Sequence, residues 1–134
     1  MIDEGTEPVF AGYCHCRDCR QAHAAPIYQY VYLDKNRFCI VNGSELLKWY
    51  TREESRRPEF RRFFCERCGS KVYNELFSSG KNPELTLCGT FPALFDDEEI
   101  ATSETWSPKK HIHCQESIMD LTKIHDSLPR VQTG

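Results

Sequence analysis

Short stretches in which apolar and polar residues alternate recur along the chain, and turn-forming residues separate them. The clearest stretch covers residues 27–33, which are rich in β-branched and aromatic side chains and are followed by a turn at 34–36. The same criteria predict further strands at residues 38–41, 46–50, 60–64, 70–74, 85–88 and 111–114. The apolar segment 91–95 contains a proline and is predicted to be an edge or a turn, and 117–124 is predicted to form one short helix.

Strands this short, with no long helical period between them, predict a mainly β fold with small antiparallel sheets. The chain has 134 residues and contains no internal repeat, low-complexity tract or linker, so we expect a single domain over residues 1–134. Such a fold has a thin core, and a bound metal ion adds stability that the core alone does not supply.

Composition narrows the classes of function. The formal net charge of −3 argues against a general nucleic-acid-binding protein, which normally carries a clear basic excess. Residues 1–5 lack the features of a secretory signal, and no apolar stretch approaches the roughly 20 residues that span a bilayer. We therefore expect a cytoplasmic protein without a membrane partner. In that compartment the eight cysteines stay reduced, and grouped cysteines bind metal more often than they form disulfides.

The first group of cysteines consists of Cys14, Cys16 and Cys19, three thiols within six residues of sequence. Three thiolates from one tight loop can hold a zinc ion and leave its fourth position open, which is the mark of a catalytic site. His15 is predicted to be exposed or to support the ligands. In an extended segment its side chain points away from those of Cys14 and Cys16.

The second group is Cys65 and Cys68, followed by Gly69, and it has the spacing of a zinc-knuckle half-site. The two intervening residues let both sulfurs face one ion, and the glycine lets the chain turn away. A redox pair or two unrelated thiols are the competing interpretations. Of the other cysteines, Cys39 and Cys88 lie in predicted apolar strands and are expected to be buried spectators. Cys114, beside His111 and His113, is expected in a core strand, with a ligand or nucleophile role as the alternative.

Charge is unevenly distributed along the chain. An acidic run at 96–99 is interpreted as a solvated face, and five arginines crowd one segment: Arg52, Arg56, Arg57, Arg61 and Arg62. The arginines have two interpretations. They form either a solvated basic face or a site for an anionic ligand, because guanidinium groups bind carboxylates in a bidentate way.

Together these motifs resemble the glutathione-dependent formaldehyde-activating family. The order is Cys-His-Cys-x-Asp-Cys-Arg from residue 14, Phe-Cys-x-x-Cys-Gly-Ser from residue 64, Gly-Thr at 89–90 and His-Ile-His at 111–113. The resemblance covers about residues 12–113. It implies an Mss4-like fold of coiled antiparallel β-sheets with zinc knuckles. It also implies two zinc ions, with Cys14, Cys16 and Cys19 holding the catalytic one and Cys65 and Cys68 forming half of the structural site.

The chain departs from the family pattern in one respect. In the family, a Cys-x-Cys pair on an N-terminal strand completes the structural zinc site, and only thirteen residues, with no such pair, precede Cys14 here. Three explanations stay open. The structural zinc is absent, or Cys65 and Cys68 share one zinc with two of the first three cysteines, or a partner chain supplies ligands. The missing strand also leaves a sheet edge bare, which favours a homodimer or an irregular edge.

The resemblance implies that the protein adds glutathione or a similar thiol to a small aldehyde such as formaldehyde. This is carbon–sulfur lyase chemistry in the reverse direction, as in an S-(hydroxymethyl)glutathione synthase. On charge alone, Arg61 and Arg62 are the candidates for docking the glutathione carboxylates. The alternative is a non-catalytic, zinc-stabilised protein-binding module, which needs a closed four-cysteine site and not an open zinc position. A third hypothesis is a thiol reductase that uses Cys39 or Cys114.

Overall fold

One sheet of seven strands organises the protein. The computed structural model describes residue 2 and residues 5–52, 60–77 and 86–134. The strands are β1 (Phe10–Cys14), β2 (Tyr28–Asp34), β3 (Leu47–Tyr50), β4 (Phe60–Cys65), β5 (Lys71–Phe77), β6 (Thr86–Thr90) and β7 (His111–Ile112). Their order across the sheet is β3-β4-β5-β6-β2-β1-β7. Neighbours are antiparallel except β1 and β7, which are parallel. The predicted mainly β fold is thereby confirmed.

Helices are short and connect the strands. The two α-helices are α1 (Arg17–His23) and α2 (Glu98–Ala101). Single 3-10 turns occur at Lys35–Arg37, Ser44–Leu46, Pro92–Leu94, Glu104–Trp106, Cys114–Glu116 and Leu121–Lys123. Within the part of the chain that the structure describes, no helix has the length and apolar character needed to cross a membrane.

The two faces of the sheet bury different side chains, as the two-residue period of a strand requires. On one face, which we call the cysteine face, the buried residues are Cys14, Cys19, Tyr30, Tyr32, Phe60 and Leu87. On the opposite face, Val31 and Leu33 of β2 pack with Ala11 and Trp106. β2 is therefore buried on both sides, and it forms the centre of the core.

Two tyrosine rings on the cysteine face lie across glycines of adjacent strands. A Cβ atom at Gly89 would stand 2.5 Å from Cζ of Tyr32, and one at Gly12 would stand 2.7 Å from the hydroxyl oxygen of Tyr30. Both distances are far inside van der Waals contact, so these positions leave room for the rings only because they lack a side chain. Rings that cover glycines in this way protect the backbone of a thin sheet.

A buried histidine pair ties the C-terminal segment to the sheet. His15 Nε2 lies 2.9 Å from His111 Nδ1, and His111 Nε2 lies 2.9 Å from a carboxylate oxygen of Asp126. His15 Nδ1 is 3.0 Å from the Ser117 hydroxyl. Because an ionised carboxylate only accepts hydrogen bonds, His111 donates to Asp126, while the directions of the other two bonds depend on the histidine tautomers. Both imidazoles are fully buried.

One predicted strand, at residues 38–41, is wrong. Phe38 makes only an isolated bridge to Ile2, and the segment lies outside the sheet. Val41 is 70% exposed, and Cys39 is exposed as well, so the predicted burial of Cys39 is also wrong. These residues are apolar and partly β-branched, but strand formation also requires a neighbouring strand in register.

Two C-terminal predictions need correction. Residues 117–124 form no α-helix, because Ser117 and Asp120 accept hydrogen bonds from the backbone N–H groups of Met119 and Thr122, at 3.1 Å each, and so compete with helical bonding. The strand predicted at 111–114 ends at Ile112, since His113 takes the left-handed conformation with φ 55°. Cys114 is buried as expected, but it lies in a 3-10 turn and not in a strand.

Candidate metal centre

The junction between β1 and α1 brings three cysteines together. Cys14 is the last residue of β1, Cys16 caps the N-terminus of α1, and Cys19 lies in the helix. The Cys16 sulfur accepts a hydrogen bond from the backbone N–H of Cys19 at 3.4 Å, as an N-cap side chain does. The helix was not predicted from the sequence, because its seven residues are too few to show a clear apolar period. It ends at Ala24, which has a left-handed conformation and caps the C-terminus.

The arrangement of the three sulfurs fits a tetrahedral metal ion. All three Sγ atoms lie within 4.8 Å of one another. Zn–S bonds of about 2.3 Å in tetrahedral geometry place sulfurs roughly 3.8 Å apart, so only a small adjustment is needed. Cys14 and Cys19 are buried, while Cys16 is partly exposed, which leaves one side of the cluster toward solvent. Across the described residues, this is the only group of three or more side chains that can ligate a metal in this way.

The surroundings favour negative charge on Cys19. Hydrogen bonds from Cys14 and Cys16 hold the pKa of Cys19 well below its usual range, and Arg62 and Tyr28 act in the same direction against the effect of burial. Nη2 of Arg62 lies 3.7 Å from the Cys19 sulfur, and the Tyr28 hydroxyl lies 3.4 Å from it. The same contacts from Cys16 and Cys19, together with burial, raise the pKa of Cys14. The buried guanidinium of Arg62 therefore favours the thiolate form of Cys19 over that of Cys14.

Aromatic rings close one side of the cluster. The His23 ring stacks on Tyr28 at a centroid distance of 4.4 Å, and Phe91 meets His23 edge-on at 4.7 Å. Burial lowers the pKa of His23 to about 4, so the imidazole is neutral at pH 7 and adds no charge next to the thiols. These rings exclude water and strengthen the interaction between Arg62 and Cys19.

The two arginines predicted to dock a carboxylate point to opposite faces of the sheet, because they are consecutive residues of β4. Arg62 is buried on the cysteine face, against Cys19. Arg61 lies over the ring of Trp49, 4.4 Å from its centroid. Arg52 bonds α1 instead, through the Asp18 carbonyl at 3.2 Å and the Gln21 side chain at 2.6 Å. Arg56 and Arg57 lie outside the described residues.

Cys65 and Cys68 lie at the hairpin between β4 and β5, and the structure does not group them with the first three cysteines. The turn is closed by the Gly69 N–H, which donates to the Cys65 carbonyl at 2.8 Å, and Gly69 has φ 77° as predicted for a knuckle. The Cys68 thiol is exposed, and the Ser70 hydroxyl, 3.2 Å away, together with Cys65 lowers the pKa of Cys68. The described residues place no third ligand beside this pair.

His15 and Cys88 are both buried away from the thiol cluster. His15, expected to be exposed or to support the ligands, is fully buried in the histidine pair described above. Cys88, on the face opposite the cluster, is fully buried as expected, and burial raises its pKa to about 12. Neither side chain is therefore part of the group that can ligate a metal.

Comparison with known proteins decides the family. The family model described as glutathione-dependent formaldehyde-activating enzyme matches residues 2–116. The chain belongs to this family. The membership confirms the resemblance drawn from the sequence motifs, and the seven-stranded, mainly β sheet is consistent with the Mss4-like fold expected for it.

A solved structure supports the fold. The chain is similar to a crystal structure of a Rhodobacter sphaeroides protein determined as a structural genomics target, with a TM-score of 0.50 and 14% sequence identity over 93% of this chain and 87% of that one. A search of curated protein sequences gave no significant match. Family membership points at a coarse level to glutathione and aldehyde chemistry.

For a protein of this family, the sequence motifs reveal the thiols but not the residues around them. Four residues approach the cluster from other strands, and Arg62 of β4 and Asn74 of β5 are far from Cys19 in sequence; the other two are Tyr28 and Tyr32 of β2. Of these, only Arg62 was singled out, and for a different role. The one local signal was the run of alternating tyrosines in β2, which the sequence presented as ordinary strand residues.

Proposed function

We propose that the protein is a zinc-dependent enzyme of the carbon–sulfur lyase type, which adds glutathione or a similar thiol to a small aldehyde such as formaldehyde. The observation that carries the proposal is the cluster of Cys14, Cys16 and Cys19, with a guanidinium buried against its thiolate and one side open. A purely structural zinc site is normally closed by four protein ligands. Three ligands and an open side suit a site at which a substrate thiol completes the coordination.

In this proposal, Cys14, Cys16 and Cys19 hold the zinc ion. A bound zinc ion keeps a coordinated substrate thiol deprotonated at neutral pH, where a free thiol with a pKa of about 8.5 is only a few per cent ionised. Arg62 would offset part of the negative charge of the thiolates. The Cys19 thiol donates to the Tyr28 hydroxyl in the structure, and the hydroxyl would donate to the sulfur once a metal has displaced the thiol proton. Hydrogen bonds to a coordinated sulfur orient it and tune its charge, so both residues support the site.

The reaction needs no oxidant or reductant. The substrate thiol loses its proton, its sulfur forms a bond to the aldehyde carbon, and the carbonyl electron pair moves to oxygen, which takes up a proton and becomes a hydroxyl. Holding thiol and carbonyl next to each other accounts for much of the acceleration that such a site can give. The rings of His23, Tyr28 and Phe91 exclude water from one side of this reaction.

One further assignment follows the family pattern. Cys65 and Cys68 would form half of a second zinc site, whose remaining ligands would come from a partner chain. Arg61 points to the face opposite the cluster, over Trp49, and this position argues against the predicted role of Arg61 in docking a glutathione held at the cluster. For Arg62, burial against Cys19 favours a role at the cluster over a role in docking.

The test combines zinc analysis with exchange kinetics. Zinc per chain is measured by elemental analysis, and the exchange between glutathione and S-(hydroxymethyl)glutathione is measured at equilibrium by NMR, because the uncatalysed reaction is too fast for simple mixing. The wild type should bind zinc and accelerate the exchange, and Cys19→Ser should lose both properties. Cys88→Ala is the matched control, since it removes a buried thiol from the opposite face and should retain both.

Two outcomes contradict the proposal. A folded, reduced wild type without zinc would remove the metal centre. A zinc-loaded wild type that neither binds glutathione nor changes the exchange rate would instead support the non-catalytic protein-binding module.

A further inference from the structure

Three buried polar atoms beside the cysteine cluster have no hydrogen-bond partner. They are the hydroxyl oxygen of Tyr32, Nδ2 of Asn74 and Nη1 of Arg62. The residues are 3%, 2% and 5% exposed, so bulk water does not satisfy them. A buried donor without a partner has lost its hydrogen bonds to water with no compensation, and native proteins seldom leave one in this state without a functional reason.

The strand register aligns the three residues in one row on the cysteine face. Arg62 of β4 pairs with Asn74 of β5, Asn74 pairs with Gly89 of β6, and Gly89 pairs with Tyr32 of β2. Directly paired residues of antiparallel strands project to the same side of the sheet. Gly89 contributes no side chain, and the Tyr32 ring lies across it. The glycine thereby lets the Tyr32 ring lie over the strand that separates it from Asn74.

Electrostatic effects also indicate that the three groups lie close together. Burial raises the pKa of Tyr32, while Asn74 and Arg62 both act to lower it. Yet the Tyr32 hydroxyl and the Asn74 amide nitrogen form no hydrogen bond of proper geometry. Two donors and a hydroxyl that approach without bonding one another leave room for an oxygen atom that all three can contact.

The guanidinium of Arg62 connects this row to the thiol cluster. Its Nη2 lies 3.7 Å from the Cys19 sulfur, and its Nη1 is the atom without a partner. Both nitrogens belong to one planar fork, so an acceptor bound at Nη1 is held next to the sulfur cluster. The row therefore offers an oxygen site at the place where the proposed reaction would occur.

We propose that Tyr32, Asn74 and Arg62 form an oxygen-binding site that holds the carbonyl oxygen of the aldehyde. This inference rests on the proposed function and assigns the second substrate to a place. As the sulfur bonds to the carbonyl carbon, the electron pair of the C=O double bond moves onto the oxygen, and the three groups donate hydrogen bonds to it. Donors that are fixed in advance stabilise such a developing charge more strongly than water does.

Single substitutions test the role in catalysis. Tyr32→Phe removes one hydroxyl and keeps the ring, and it should lower the glutathione–formaldehyde exchange rate by about 100-fold. Zinc content and glutathione affinity should not change. Tyr73→Phe is the matched control, because Tyr73 is buried on the opposite face, stacked on Phe63. Should Tyr32→Phe fold poorly, Asn74→Ser provides the same test on another donor.

A binding measurement tests the site without the reaction. Formamide has the carbonyl of formaldehyde but does not react with thiols under these conditions. Its titration into the zinc-loaded protein, followed by the NMR signal of the Asn74 side-chain amide, should give a saturable shift. The shift should be retained in Tyr73→Phe and weakened in Tyr32→Phe. An Asn74 signal that does not respond, or that responds equally in all variants, would mean that the row holds structural water only.

The two readouts separate this inference from the proposed function. If the wild type accelerates the exchange and Tyr32→Phe and Asn74→Ser are equally fast, the oxygen site is refuted and the enzyme stands. If the wild type is inactive but formamide binds at Asn74, the oxygen site exists and the proposed reaction is wrong.

Discussion

Replacing Gly89 with alanine should destabilise the protein through one defined contact. The added Cβ atom would lie 2.5 and 2.6 Å from Cζ and Cε1 of Tyr32, whereas ordinary carbon contacts begin near 3.4 Å. The ring must therefore move by about 0.9 Å, in a core where it already packs with Cys19, Phe60 and Leu87. Overpacking of this kind typically costs about 1–3 kcal/mol.

Urea unfolding at constant zinc content measures this cost. The free energy of unfolding of Gly89→Ala should fall by about 1–3 kcal/mol with an unchanged denaturant dependence, since the surface exposed on unfolding is nearly the same. The substitution should also slow the exchange reaction, because the Tyr32 hydroxyl moves with the ring.

A double-mutant cycle identifies the cause. Tyr32→Leu removes the ring atoms that the new Cβ would meet. In the Tyr32→Leu background, Gly89→Ala should therefore cost much less than in the wild type, with a coupling energy of about 0.5–3 kcal/mol. If Gly89→Ala has the same cost in both backgrounds, or no measurable cost in either, the Tyr32–Gly89 contact does not have the energetic role that the geometry gives it.

Three other predictions concern charge and protons. Arg62→Met should weaken zinc binding by roughly 10–100-fold in a chelator competition, because it removes a charged hydrogen bond worth about 1.5–3 kcal/mol. Arg62→Lys should lose less zinc affinity. Equal zinc affinities of the wild type and both variants would contradict this prediction. His111 and Arg130 lower the pKa of Asp126 from 3.8 to about 2. The ionised carboxylate therefore stabilises the fold above pH 4, and this contribution is lost as the pH falls toward 2. Asp126→Asn should lack that part of the pH dependence of urea unfolding, and parallel curves for both proteins would refute the assignment. In the metal-free protein, iodoacetamide should modify Cys68 faster than Cys39, because both thiols are exposed and the pKa of Cys68 is lowered. If Cys68 is a zinc ligand, added zinc should protect its thiol from the reagent.

The histidine pair and the thiol cluster share one short segment. His15 lies between Cys14 and Cys16 in the sequence, yet its side chain points away from the thiols, toward His111. The backbone N–H of His15 also bonds the Ile112 carbonyl at 3.1 Å. The position of Cys14 and Cys16 is therefore fixed by residues more than ninety positions away in the chain, which explains how a loop of six residues can be held rigid enough for a metal centre.

The sequence by itself determined the class of fold and the thiols. Alternation in β2 is a local property of the chain, so the strand predicted at 27–33 lies within one residue of its observed limits, Tyr28–Asp34. The spacing of Cys14, Cys16 and Cys19 predicts their convergence for the same reason, because side chains five residues apart cannot separate far. The knuckle turn at Gly69 is equally local.

Only the tertiary structure decided what surrounds the thiols. The row of Tyr32, Asn74 and Arg62 exists because three strand pairings place those residues in register, and register depends on how whole strands align, not on any one residue. The same limit accounts for the error at Cys39. Burial is decided by what lies next to a segment in space, and a pattern along one strand contains no information about its neighbours.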